Sequence, residues 1–143
     1  MYIRSWIRSK DEHTLIDIAT QNFDVRTETI QGILEQANEV LVICKENGMI
    51  AGFLSYRFRI NDMVLVDYVV LDNHYQGKGI ARHFLPSFEG YLLKKGIQKV
   101  YGTVDRDNRE AIAAFKSMGF ENIGRFASNL IIEKNLSRSK SIT

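Results

Sequence analysis

The stretch Asp67-Tyr68-Val69-Val70-Leu71-Asp72-Asn73-His74-Tyr75-Gln76-Gly77-Lys78-Gly79-Ile80-Ala81-Arg82 decides how this chain is read. An apolar strand runs into a loop with two glycines and a lysine, and a helix follows. Such a turn aims free backbone N–H groups at whatever lies above the helix start, which makes it an anion site with pyrophosphate as the usual guest. A phosphate-binding P-loop needs four residues between its glycines, and here there is one. A dinucleotide fingerprint needs a third glycine where Arg82 stands, and a chain that opens with alternating strands and helices.

Outward from this stretch the elements follow in order. Tyr2–Arg8 reads as a strand and Asp11–Gln21 as a helix, with Leu15, Ile16, Ile18 and Ala19 at helical spacing. Thr27 is placed to cap a second helix, Glu28–Ala37. Strands Val40–Glu46 and Met49–Arg59 join through Asn47-Gly48, which predicts a type I′ turn with positive φ at both residues. A turn at Asn61-Asp62 leads into Met63–Leu71. Gly79–Lys95 reads as a helix ended by Gly96, with Pro86 expected to kink it. Gln98–Val104 is a strand, Asn108–Met118 a helix stopped by Gly119, and Phe120–Arg125 with Asn129–Leu136 a closing pair. The tail 137–143 reads as frayed and basic.

At 143 residues the chain is long enough for one core without metals or disulfides. The lone Cys44 sits in an apolar run and reads as a small buried hydrophobe, in keeping with a reducing, cytoplasmic setting. No apolar stretch approaches membrane-spanning length. The net charge of +2 is too small to imply nucleic acid. Its distribution is uneven: residues 11–39 carry seven acids against Arg26, whereas from His74 onward twelve Lys or Arg face six Asp or Glu. An anion bound by the second half and a cation by the first would suit this asymmetry, and two solvated faces would suit it equally.

The pattern Gln-x-x-Gly-x-Gly/Ala is met at Gln76, Gly79 and Ala81. Some 30 residues on, the chain reads Asn108-Arg-Glu-Ala-Ile-Ala-Ala-Phe-Lys-Ser-Met-Gly-Phe120. With these two segments in this order, the chain resembles the GNAT family, the Gcn5-related acyl-CoA N-acyltransferases, from residue 2 to about 136. The resemblance implies a single domain over 1–136 of mixed α/β class: a mostly antiparallel sheet of six to seven strands, a splayed parallel pair (63–71 and 98–104) and about four helices. It implies acetyl-CoA as acyl donor and no metal. Gln76, Gly77, Lys78, Gly79, Ile80 and Ala81 would hold the coenzyme A pyrophosphate through backbone N–H groups, with Lys78 and Arg82 adding positive charge. Val69, Val70 and Leu71 would pair with the pantetheine arm as an added strand. Asn108, Phe115 and Lys116 would line its other side, with a helix cap the plainer role for Asn108.

The sequence also departs from the family. Many members place a proton-donating tyrosine seven residues after the asparagine, where this chain has Phe115. Protein N-terminal acetylases often carry a glutamate five residues before it, where this chain has Thr103. The remaining candidate base is Asp67, a carboxylate in an apolar strand, sharing a face with Leu65, Val69 and Leu71 by alternation. Burial there would raise its pKa toward a useful value, and an ion-paired or solvent-facing carboxylate is the plainer alternative. Tyr68 points the other way and reads as core. His74 sits beside the pyrophosphate loop rather than the thioester, and Tyr75 reads as a packing residue. In the family the first two helices wall the acceptor side, so the acidic 11–39 segment suggests a cationic acceptor, a small molecule or a peptidyl amine, touched by Phe23, Asp24 and Glu28. A homodimer is compatible with this reading, and neither nucleic acid nor membrane is an expected partner. A coenzyme A-binding regulatory module without catalysis is the competing reading, which Phe115 permits.

Overall fold

The computed structural model describes residues 1–22, 24–75 and 80–136. The elements are β1 (Tyr2–Ser5), α1 (Arg8–Asn22), α2 (Thr27–Gln36), β2 (Glu39–Cys44), β3 (Ile50–Ile60), β4 (Met63–Leu71), a 3₁₀ turn (Asn73–Tyr75), α3 (Ile80–Lys94), β5 (Lys99–Asp105), α4 (Arg109–Ser117), β6 (Glu121–Phe126) and β7 (Asn129–Asn135). β2 pairs antiparallel with β1 and β3, β5 pairs parallel with β4 and antiparallel with β7, and β7 pairs antiparallel with β6. The expected mixed α/β class, the four helices and the parallel β4–β5 pair are all present.

Two compact units make up the chain. The first comprises Met1–Arg57 and Asp67–Phe88. Its core joins Leu15, Ile18 and Ala19 of α1, Ile30 and Leu34 of α2, Val40, Val42 and Cys44 of β2, Phe53 of β3 and Val70 of β4. Cys44 is fully buried, as its apolar run suggested. Tyr68 packs on this core with its ring edge-on to Phe53 at 6.3 Å, the interior role expected of it.

The second unit comprises Phe58–Val66 and Glu89–Thr143. Its parallel ladder has three residue pairs, Met63–Lys99, Val64–Val100 and Leu65–Tyr101, and β5 pairs with β7 along its whole length, from Lys99–Asn135 to Asp105–Asn129. Gly96 (φ 81°) ends α3: its N–H reaches the Leu93 carbonyl and the Ile97 N–H reaches Leu92, both at 3.0 Å. Gly119 (φ 93°) ends α4 with the same pair of bonds, to Lys116 and Phe115. These six-to-one and five-to-two bonds explain why glycine stands at both stops. The outer strand β6 is exposed throughout, and a bulge between Asn122 and Gly124, whose N–H bonds Asn122 Oδ1 at 3.1 Å, interrupts its ladder and blunts it as a pairing edge.

Three local expectations are corrected. β1 stops at Ser5, not Arg8, because Asp11 reaches back: its carboxylate accepts the Ile7 N–H at 2.7 Å and two bonds from Arg4, at 2.7 and 3.0 Å. That turns the chain into α1 three residues early. Thr27 is the first residue of α2 rather than its cap; the capping position is Arg26, which makes no side-chain bond. The Asn47-Gly48 turn is not type I′, since positive φ falls on Gly48 (88°) and not on Asn47. The Gly48 N–H bonds the Lys45 carbonyl and the Lys45 N–H bonds Met49, each at 2.8 Å, so the loop is three residues long with glycine at the left-handed position.

Asp11 is 1 % exposed, and its hydrogen bonds with Arg4 hold its pKa below the usual carboxylate range. Asp11→Ala is expected to destabilise the protein by about 2 kcal/mol, below the range for broken fully buried pairs because Arg4 is partly solvated. A depressed folded pKa supplies stability above the unfolded value and loses it as pH falls through the folded one. Urea midpoints should therefore separate wild type from Asp11→Ala at pH 7 and converge in strong acid.

Candidate active site

Asp67, Val69, Val70 and Leu71 lie on the second half of β4, in the first unit. Ile80, Ala81 and Arg82 form the first turn of α3 in the same unit. Gln76, Gly77, Lys78 and Gly79, the glycine loop itself, lie outside the described residues, as does Phe23. Asn108, Phe115 and Lys116 belong to the second unit.

The end of β4 is held by β3 and by α1. The Asp72 N–H donates to the Ala51 carbonyl at 2.8 Å. Asn22, the last residue of α1, donates from its side chain to the Leu71 carbonyl at 3.2 Å and to the Ile18 carbonyl at 2.8 Å. A Cβ built at Gly52 would overlap the Val70 carbonyl oxygen and stand 3.0 Å from Leu71 Cα. Opposite β2, Ile43 pairs with Gly52 and Cys44 with Ile50, so Ala51 is the extra residue of a bulge. Glycine is thus the residue that lets β3 bend here while β4 crosses close by. Neither Asn22 nor Gly52 was singled out in the sequence, because only the packed sheet brings them to Leu71 and Val70.

Asp67 is ion-paired, as its plainer reading held: Arg57 Nε donates to Oδ1 at 2.9 Å. Its other oxygen, Oδ2, is buried and has no hydrogen-bond partner among the described residues. The side chain is 12 % exposed, and burial raises its pKa against the opposing pull of Arg57. Most buried polar atoms in proteins are paired, so a buried carboxylate oxygen without a partner calls for a reason. Arg57 was missed in the sequence, because a two-residue turn at Asn61-Asp62 sets it opposite Val66, and alternation then places it on the other face from Asp67.

His74 is exposed and bound to Asp72, ring Nδ1 to Oδ1 at 2.8 Å, with its backbone N–H on the same oxygen. Tyr75 lies under the Lys45 ammonium at 5.1 Å. Both therefore serve the loop's local structure.

In the second unit, Asn108 caps α4, its side chain accepting the Ala111 N–H at 3.1 Å. The Phe115 ring meets Phe120 edge-on at 5.4 Å, and both line a cleft of about 530 Å³ with Ile112, Lys116, Leu130 and Ile132. Lys134, under Gly119, is paired with Glu89 and donates to the Met118 carbonyl at 2.6 Å, which anchors the end of α4.

Most of the acids in 11–39 are already matched. Arg4 holds Asp11, and Arg8 holds both Glu12 and Glu35. Glu39 takes the Tyr56 hydroxyl, and Asp17 lies 3.4 Å from the His13 ring. The run looked more acidic than it is because two of its cations, Arg4 and Arg8, precede it. Asp24 and Glu28 are exposed and unpaired among the described residues.

The profile of the Acetyltransferase (GNAT) family matches residues 3–120. The chain belongs to that family. Solved acetyltransferases share its fold over nearly the full length. A chimera of the Vibrio cholerae spermidine N-acetyltransferase aligns with a TM-score of 0.78 at 14% identity, covering 99% of both chains. The PaiA N-acetyltransferase from Thermoplasma acidophilum, solved with coenzyme A, gives 0.75 at 20% identity, covering 93% of this chain and 97% of its own. A ribosomal-protein-alanine N-acetyltransferase from Brucella melitensis gives 0.71 at 24% identity, covering 94% and 99%. No curated protein sequence matches the chain. For this acetyltransferase, no helix among the described residues is long and apolar enough to cross a membrane, and no described group of His, Cys, Asp or Glu is placed to hold a metal ion.

Proposed function

We propose that the protein transfers an acetyl group from acetyl-CoA to a primary amine by direct attack in a ternary complex, with Asp67 as general base. The observation that carries this reading is the buried Oδ2 of Asp67, without a hydrogen-bond partner among the described residues, on the strand whose end, Val69–Leu71, would take the pantetheine arm. Gln76, Gly77, Lys78, Gly79, Ile80, Ala81 and Arg82 would hold the pyrophosphate, and Asn108, Phe115 and Lys116 the donor's other side.

An alkylammonium with a pKa near ~10.4 is neutral in roughly one molecule in 2,500 at pH 7, so attack needs a base. An ordinary carboxylate is a poor one, since the gap of roughly six pKa units corresponds to about 9 kcal/mol. Burial narrows that gap from both ends, raising the carboxylate and lowering a bound ammonium. Asp67 Oδ2 takes the amine proton as nitrogen adds to the thioester carbonyl. A backbone N–H near Val70 or Leu71 would hold the oxygen as it becomes negative. The C–S bond then breaks, the nitrogen gives up its second proton to solvent as the amide forms, and the thiolate takes a proton from solvent, because Phe115 has none to give; Asp67 then returns its own proton to solvent.

The exposed Asp24 and Glu28, with Phe23, favour a cationic acceptor, a polyamine-like small molecule or a lysine side chain. Cytoplasmic residence suits such a substrate. The chemistry is tested by coenzyme A thiol release from acetyl-CoA with a panel of amines of graded charge. Release is expected with polycationic amines, and Asp24→Asn with Glu28→Gln should raise their KM while sparing an amine with an uncharged body. Clear coenzyme A binding without release from any amine would instead favour a binding module without catalysis, the reading to which Phe115 lends support.

A further inference from the structure

The unpaired oxygen of Asp67 depends on what holds the paired one. We propose that Arg57 is a positioning residue for the reaction: by holding Asp67 Oδ1 from the neighbouring strand, it fixes the carboxylate and leaves Oδ2 to receive the amine proton. This rests on Asp67 being the base.

The geometry supplies the argument. Arg57 Nε donates to Oδ1 at 2.9 Å, and the pair is unequally covered, with Arg57 33 % and Asp67 12 % exposed. A guanidinium bound to both oxygens, as Arg4 is to Asp11, would leave the carboxylate nothing to offer. The two pairs within one unit differ in this respect. At Asp11 both oxygens are taken and the pKa lies below the ordinary range; at Asp67 one oxygen is taken and the pKa lies above it. The first arrangement suits a structural carboxylate and the second a reactive one.

Arg57 also limits how far burial pushes the carboxyl. A carboxyl that stayed protonated at neutral pH would take no proton from an amine. Arg57 from β3 and Tyr68 beside it on β4 both interact electrostatically with Asp67. The Tyr68 hydroxyl is itself raised, first by burial and then by the Asp67 charge, so it stays neutral while Asp67 titrates. Arg57 is thus the charge set against burial.

The full chain is compared as wild type, Arg57→Gln, Arg57→Lys and Asp67→Asn. Carboxyl carbon NMR titration follows Asp67, its signal assigned by its loss in Asp67→Asn. Thiol release with acetyl-CoA and 1,4-diaminobutane follows kcat and KM across pH. Arg57→Gln is expected to move the Asp67 titration up by about one pH unit, within the range for loss of a neighbouring opposite charge. The acid limb of kcat should move with it, while KM for acetyl-CoA stays within about twofold, since the proposed role touches the base and not the donor. Arg57→Lys should restore most of the shift. An Asp67 titration unchanged in Arg57→Gln would overturn the proposal, as would an acid limb that stays in place while the titration moves. Retention of wild-type rates by Asp67→Asn would instead remove the base itself, so the two failures are distinguishable. Melting temperatures identify any variant that has lost its fold, and for that variant the Arg57→Lys titration decides.

Discussion

Asp67→Asn is expected to lower kcat/KM for amine acetylation by about 10²- to 10⁴-fold, the usual weight of a general base, while leaving the melting temperature at or above that of the wild type. The two halves of this expectation share one cause. A carboxyl whose folded pKa is raised above its unfolded value contributes stability below the unfolded value, and that contribution is lost as pH rises through the folded one. Burial raises Asp67 in this way, so at neutral pH its ionised form weighs against folding. Asparagine keeps the shape and an oxygen for Arg57 Nε, removes the buried charge, and cannot take a proton. Asp11→Ala behaves in the opposite sense, losing stability at neutral pH, because there the folded state favours the ionised form. Thermal melts at pH 7 paired with single-turnover rates check this. A melting temperature that falls together with the rate would mark Asp67 as a structural ion pair.

Gly52→Val is expected to destabilise the protein by about 3 kcal/mol or more, at or beyond the upper end for overpacking, because the obstacle is backbone. Flexible side chains can turn away from an added methyl; the Val70 carbonyl oxygen and Leu71 Cα cannot without moving the strand. The milder Gly52→Ala is the more informative variant. It should fold, with the end of β4 displaced where Asp72 is bonded to Ala51 and Leu71 to Asn22. Since Val69–Leu71 is the stretch proposed for the pantetheine arm, KM for acetyl-CoA should rise several-fold more than kcat falls. Denaturant midpoints and initial rates at saturating amine measure both effects. Wild-type stability and KM in Gly52→Ala would show that β4 has room to retreat.

Much of the architecture was legible because it depends on neighbours in sequence. β4 runs over Met63–Leu71, as its apolar run between a turn and a loop predicted. Gly96 and Gly119 stop their helices with left-handed backbone, and Asn108 caps α4. Each is a local event within one turn of chain, where propensity and stereochemistry dominate. Of the three corrections, two come from contacts beyond one turn of chain and one, at Thr27, is a shift of a single residue. Asp11 ends β1 through Arg4, seven residues back; Thr27 yields the capping position to Arg26; and the loop at Asn47-Gly48 takes three residues because β2 and β3 meet with a bulge between Ile43 and Cys44.

The candidate site divides along the same line. By itself the sequence determined the family resemblance, through Gln76–Ala81 and Asn108–Phe120, and it pointed to Asp67 as a charge out of place in an apolar strand. Those are features of spacing and composition, which a linear chain carries whole. Only the tertiary structure decided that Arg57 occupies one oxygen of Asp67 and leaves the other open, and that Asn22 and Gly52 shape the end of β4. It also decided that most of the acids in 11–39 are already matched. These depend on which strand lies beside which, on register, and on distances of about 3 Å that side chains reach only after the sheet has packed.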